Sequence, residues 1–134
     1  RYTVGEEVFN SVSHGVGALL SIIGASVLVT LAACFGDITS VLSCVGYGVS
    51  MVILYTMSTL YHAFPFEKVK QVFRIFDHTS IFILIAGTYT PFCLLALRGN
   101  PKGVWVAAVG HTFNCILLSA SIRITSFELT ALIP

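Results

Sequence analysis

The side chains in this sequence that could do chemistry are few, and they stand where apolar stretches begin or end. Glu7, Asn10 and His14 follow at i, i+3 and i+7. At roughly 100° per residue they fall within about 60° of one another on a helix. Ser58 and His62 are four apart, again on one helical face. Asp77 opens a third apolar stretch beside His78, with Ser80 and Thr88 on roughly its face and Arg74 one turn earlier. A carboxylate or imidazole at membrane depth is costly, so it faces a partner or a watered cavity. Residue types alone leave two readings open. A histidine at a helix end, an aspartate and a hydroxyl suit a zinc ion with a bound water, in which a carboxylate orients or deprotonates that water. The plainer and commoner reading is an interfacial His62 and an Asp77 paired with Arg74 or Lys70.

The elements that carry these residues are set by composition. Of 134 residues, 56% are hydrophobic and 10% charged, and the mean hydropathy is +0.91. A soluble domain carries roughly 25% charged residues, so this chain lacks the polar surface to face water all round. A net charge of +1 gives no basic face for phosphates, so no nucleic-acid partner is expected. No Asp, Glu, Lys or Arg occurs in 8–36, 38–66, 78–97 or 103–122. Each run is long enough for one membrane span of about 20 residues and too short for two. The expected fold is therefore an all-α, polytopic transmembrane bundle with spans at about 13–35, 41–64, 74–97 and 103–122. The first run follows Glu6 and Glu7 and is too long for a cleaved signal peptide.

Four spans put the N-terminus, the second loop and the tail on one side. That side holds Arg1, Lys68, Lys70, Arg74 and Arg123, against Arg98 and Lys102 on the other. The positive-inside rule then predicts a cytoplasmic N-terminus. Glu7 and His14, His62, and Asp77 thereby converge from three helices in the cytoplasmic half of the membrane. Rows of small residues, Gly17-Ser21-Ala25 and Gly46-Ser50, suit close helix approach in lipid. Pro91 removes a donor to the Gly87 carbonyl and should kink the third span, with Thr88 and Thr90 as candidate replacements. Tyr61 and Trp105 read as interfacial aromatics. Among the four cysteines only Cys34 and Cys44, flanking an outer loop, are placed to pair.

Several segments resemble the hemolysin III family, the bacterial branch of the progestin and adiponectin receptor superfamily. They are Gly5 to Gly15 (GEEVFNSVSHG), Ser58-Thr59-Leu60-Tyr61-His62, Phe76 to Ile81 (FDHTSI) and Ala86 to Pro91 (AGTYTP). The resemblance runs from about residue 4 to about 106. It implies a seven-helix bundle with a cytoplasmic N-terminus, of which four spans are present, in a bacterial inner membrane. It implies a zinc ion near the cytoplasmic face, with His62 as a ligand, Asp77 holding the zinc-bound water and Ser58 close behind. Glu7, Asn10 and His14 also match the family pattern, and His78 is an expected neighbour of Asp77.

The family's remaining zinc ligands, a His-x-x-x-His pair on its seventh helix, have no counterpart here; the one later histidine is His111. From about Gly110 the resemblance stops, and 123–134 reads as an unrelated tail. With Arg1 rather than Met at its start, the chain is expected to be a piece of a longer protein. The implied function is a zinc-dependent hydrolase of lipid amides or esters in the intact form, with this piece inactive alone and membrane lipid as its partner. The alternative is a non-catalytic membrane protein, either a pore-forming cytolysin or a regulator of membrane state. Neither substrate nor oligomeric state is legible.

Overall fold

The computed structural model describes residues 3–132, apart from the side chains at 101, 104, 107, 108, 125, 126 and 128–132. Arg1 and the end of the tail, 133–134, lie outside the described residues. The chain forms α1 (Val4–Phe35), α2 (Ile38–Ala63), α3 (Glu67–Pro91) with a π-helical extension (Phe92–Ala96), and α4 (Pro101–Leu132). The all-α architecture is as expected, and each helix packs on its neighbours in the chain: α1 on α2, α2 on α3, α3 on α4. Three described segments are long and apolar enough to cross a membrane: Val4–Phe35, Ile38–Ala63 and Glu67–Ala96. The fourth expected span falls on α4.

The helices outrun the charge-free stretches. α1 starts at Val4 rather than near residue 13, because Thr3 and Glu6 form a capping box. The Glu6 carboxylate accepts from Thr3 N–H at 2.7 Å, while Thr3 Oγ1 accepts from Glu6 N–H at 3.4 Å. Charge marks where hydrocarbon must end, and the backbone remains helical beyond it. α2 stops at Ala63 because Pro65 drives Phe64 out of the α region, to φ −80° and ψ 125°. Phe64 then stacks on Phe73 with ring centroids 5.1 Å apart, which folds α3 back against α2.

Burial is inverted relative to a soluble domain. The buried positions are small or polar: Ser21, Ser43, Ser50, Ser58, Ser80, Ala32, Cys93 and Asn114. Phe9, Leu19, Leu20, Ile23, Phe35 and Phe113 are all exposed. Lipid solvates large apolar groups as well as a core does, so association relies on close backbone approach by small residues. Both small-residue rows lie in such contacts. A Cβ at Gly48 would sit 2.5 Å from that of Ala25, and one at Gly87 would strike the Ser50 hydroxyl. Ser21, Ser43, Ser50 and Ser80 satisfy themselves within their helices; Ser43 donates to Thr39 O and Ser50 to Tyr47 O, both at 2.7 Å. Asn114 ties α4 to α3, donating from Nδ2 to Phe82 O at 2.7 Å.

Pro91 changes the helix type. After it the chain makes a π-helical turn, in which Leu97 N–H donates to Phe92 O at 3.3 Å. Thr90 Oγ1 donates to Ala86 O and Thr88 Oγ1 to Ile85 O. Neither hydroxyl therefore replaces the donor lost at Gly87 O, contrary to expectation. Each reaches a carbonyl of its own preceding turn instead. Cys34, Cys44, Cys93 and Cys115 are all free thiols, so the Cys34–Cys44 pairing is not made.

At the end bearing the first and third loops, Asp37 caps α2, accepting from Ser40 N–H at 2.9 Å and Ser40 Oγ at 2.8 Å. Its other oxygen meets Arg98 Nη2 at 2.6 Å. The Ser40 hydrogen bonds, with Arg98 beside them, hold the Asp37 carboxyl down at about 2 from an ordinary 3.8. A depressed carboxylate contributes stability above its unfolded value and loses it as pH falls toward the folded one. Asp37→Asn should therefore lower the unfolding temperature in detergent near neutral pH, with the gap closing between pH 3.8 and about 2. A gap that persists unchanged to pH 2 contradicts this assignment.

Candidate functional site

At the opposite end, the first turns of α1, the last turns of α2 and the first turns of α3 bring ionisable groups together. The Glu7 carboxylate joins all three helices. Its Oε2 lies 3.0 Å from His62 Nδ1, and its Oε1 lies 2.5 Å from Lys70 Nζ. Lys70 also stands 5.4 Å above the centre of the Tyr61 ring, and Tyr61 lies 4.7 Å from His62 between centroids. The Glu7, His62 and Lys70 side chains are only 17%, 8% and 21% exposed. An ionised carboxylate can only accept, so in the Glu7–His62 contact Nδ1 carries a proton and donates it.

Two turns deeper on α1, His14 reaches α2 as well. Its Nδ1 is 2.5 Å from Ser58 Oγ, and its ring meets those of His62 and Tyr55 edge-on, each at 6.0 Å. Ser11 Oγ donates to Thr59 O at 3.5 Å across the same seam. The i, i+7 spacing of Glu7 and His14 thus matches the i, i+4 spacing of Ser58 and His62, two rungs between two helices. A recess of about 900 Å³ opens beside the outer rung, lined among others by Glu7, Tyr61, His62, Phe64, Lys70 and Arg74.

Four of the singled-out residues, Glu7, His14, Ser58 and His62, therefore meet. Asn10 lies apart, in a separate shallow recess with Gly5, Glu6 and Phe9. Asp77 does not line the main recess; its Oδ2 is 3.6 Å from Nδ1 of the largely exposed His78, and its backbone carbonyl accepts from Ser80 Oγ. Lys70 pairs with Glu7 rather than Asp77. Tyr55 has no place in the sequence reading, which gives Lys70 only as a mate for Asp77 and Tyr61 only as an interfacial aromatic. The signal for Lys70 was Glu7 itself, a carboxylate at a membrane-helix end that requires a cation.

A zinc ion was implied, and the donor set can be tested. Zinc-ligating imidazoles characteristically donate their second N–H to a carboxylate, as His62 does to Glu7. His62 therefore fits a ligand whose Nε2 would face the metal. Among the described residues no three of His, Cys, Asp and Glu gather closely enough to hold a metal. The described residues thus offer one oriented ligand and its supporting carboxylate, not a full set.

The profile of the family described as "Haemolysin-III related" matches residues 2–131 of this chain. The chain belongs to that family. The "Hemolysin-3" of Bacillus cereus is 45% identical over 113 residues, covering 80% of this chain and 51% of that protein. The "Hemolysin-3 homolog" of Bacillus subtilis (strain 168) is 45% identical over 132 residues, covering 94% of this chain and 62% of that protein. The chain thus spans between half and two thirds of the length of these relatives. The haemolysin-III match carries through α4 to residue 131, past Gly110, beyond which the sequence was expected to stop resembling the family. No solved structure matches the chain.

Proposed function

We propose that the intact protein is a membrane-embedded zinc hydrolase acting on lipid amides or esters, and that this segment supplies His62 as one ligand. The observation that carries this reading is the Glu7–His62 hydrogen bond, which fixes a nearly buried imidazole in the wall of a recess between three helices. Zinc, when bound, supplies a polarised carbonyl and an activated water. The chain's own residues orient. Glu7 sets the His62 tautomer, Ser58 and His14 hold the next rung, and the recess receives a lipid headgroup from the membrane. Asp77 is the proposed base, although it does not line the recess that His62 lines. The excess of Lys and Arg on the Lys70 side supports a cytoplasmic N-terminus, and the Bacillus relatives support a bacterial cell membrane.

A second reading, a cytolysin or a non-catalytic regulator of membrane state, rests on the relatives' name, hemolysin. The two are separated by placing the full-length protein, bearing this segment and the rest of its chain, in phospholipid vesicles. Fatty-acid release and leakage of a trapped dye are followed together. Release from added lipid amide or ester without leakage is expected; leakage without release favours the cytolysin.

A further inference from the structure

We propose that the recess between α1, α2 and α3 selects a phospholipid headgroup that carries a primary ammonium beside its phosphate. The inference deepens the hydrolase reading, and it rests on that reading for bringing a lipid headgroup to this place. The recess walls carry both signs of charge, the carboxylates of Glu6, Glu7 and Glu67 against the cations of Lys70 and Arg74. Glu6 lies in the first turn of α1 and Glu67 in the first turn of α3, where the positive end of the helix dipole favours an ionised carboxylate. Both are exposed, whereas Glu7 is turned inward onto Lys70. All five charges, paired with one another or not, contribute to the potential inside the recess. The surplus of one carboxylate disfavours a headgroup with an uncompensated negative charge. A headgroup that brings its own cation escapes that repulsion. Its phosphate suits the Lys70 and Arg74 wall of α3, and its ammonium suits the exposed carboxylates of Glu6 and Glu67.

The aromatic residues discriminate between a primary and a quaternary ammonium. A quaternary ammonium is held over open aromatic faces. Here the Tyr61 ring already has Lys70 over it at 5.4 Å, and Phe64 is stacked on Phe73 at 5.1 Å between centroids. A quaternary nitrogen also has no N–H to give a carboxylate, whereas a primary ammonium donates three hydrogen bonds. The recess lies where Glu6, Glu7, Lys70 and Arg74 bound the charge-free runs, at the edge of hydrocarbon. Its volume of about 900 Å³ leaves ample room for a headgroup.

The test is lipid selection by the full-length protein. It is placed in nanodiscs of equal parts phosphatidylethanolamine, phosphatidylcholine and phosphatidylglycerol with the same acyl chains, then extracted in mild detergent. The lipid that stays bound is counted by mass spectrometry. Phosphatidylethanolamine should be retained about tenfold over phosphatidylcholine, the effect of one charge-assisted hydrogen bond partly open to water. Phosphatidylglycerol should be retained least, and the order should hold after treatment with a chelator. Glu6→Gln should remove most of the preference while leaving α1 capped, because Gln also serves in a capping box. Glu67→Gln is a second variant, read in the same way. Equal retention of the three lipids, or preference for phosphatidylglycerol, overturns the inference, as does a preference unchanged in both variants. Headgroup selection in a protein that hydrolyses no lipid would sink the hydrolase reading and leave this one standing. Hydrolysis without headgroup selection would do the reverse.

Discussion

Replacing His62 by Ala in the full-length protein is expected to bring hydrolysis of lipid amides or esters down to background. Loss of a ligating imidazole removes both the metal's hold and the position of its water. The graded counterpart is Glu7→Gln. Partners that orient a ligating imidazole are worth about 10- to 100-fold in metal affinity or activity, so this variant should fall in that range. Gln keeps an oxygen acceptor for His62 but loses the charge that binds Lys70. A Glu7→Gln protein with undiminished turnover and undiminished metal affinity would remove Glu7 from the site. Ser58→Ala is a useful contrast, because Ser58 meets His14 rather than His62 and its loss leaves the Glu7–His62 contact intact.

The largest effect on stability is expected at Gly87. A Cβ there would strike the Ser50 hydroxyl and also stand 3.4 Å from the Gly46 carbonyl, which belongs to the backbone of α2. Gly87→Val adds two further methyl groups to that collision. Overpacking a close-packed seam costs about 1–3 kcal/mol and occasionally more. The α2–α3 seam has little room to yield, since Ser50 and Ser80 are both almost completely buried. Gly87→Val should therefore lower the unfolding midpoint in detergent sharply, and Ser50→Gly should recover part of the loss. If Gly87→Val matched the wild type, helix approach at this seam would be looser than the contacts require. Gly24, which has open space around its Cβ position, provides the control and should accept Ala with little change.

Much of the fold was legible because its signal is local. A charge-free run of at least 20 residues has few fates other than a membrane span, and the small-residue rows marked the seams they occupy. The helix ends were less legible, for a physical reason. Charges at Glu6, Glu7, Lys68, Lys70 and Arg74 signal the edge of hydrocarbon, yet all of them lie on helical backbone. The Thr3–Glu6 capping box carries α1 beyond the apolar boundary at Val8, in a stretch that charge alone marks as outside hydrocarbon.

The candidate site divides in the same manner. Spacing along α1 and α2 pointed to Glu7, His14, Ser58 and His62, and those four meet because two long helices packed side by side keep their registers aligned. Lys70 could not be found this way. Its partner lies on α1 rather than on its own helix, and the local alternative, Asp77, is a plausible mate by spacing alone. Asn10 shows the limit of angular arguments. It is within about 60° of its neighbours on α1, yet that offset is enough to turn it into a different recess. Tyr61 was read as an interfacial aromatic, and it also serves as the face on which Lys70 rests.

The most direct measurement is the zinc content of the full-length protein, purified in mild detergent without added metal or chelator. The account predicts close to one zinc per chain in the wild type and near none in a folded His62→Ala variant. A folded wild type that contains no zinc and takes none up on addition would contradict it, as would a His62→Ala variant that retains the metal.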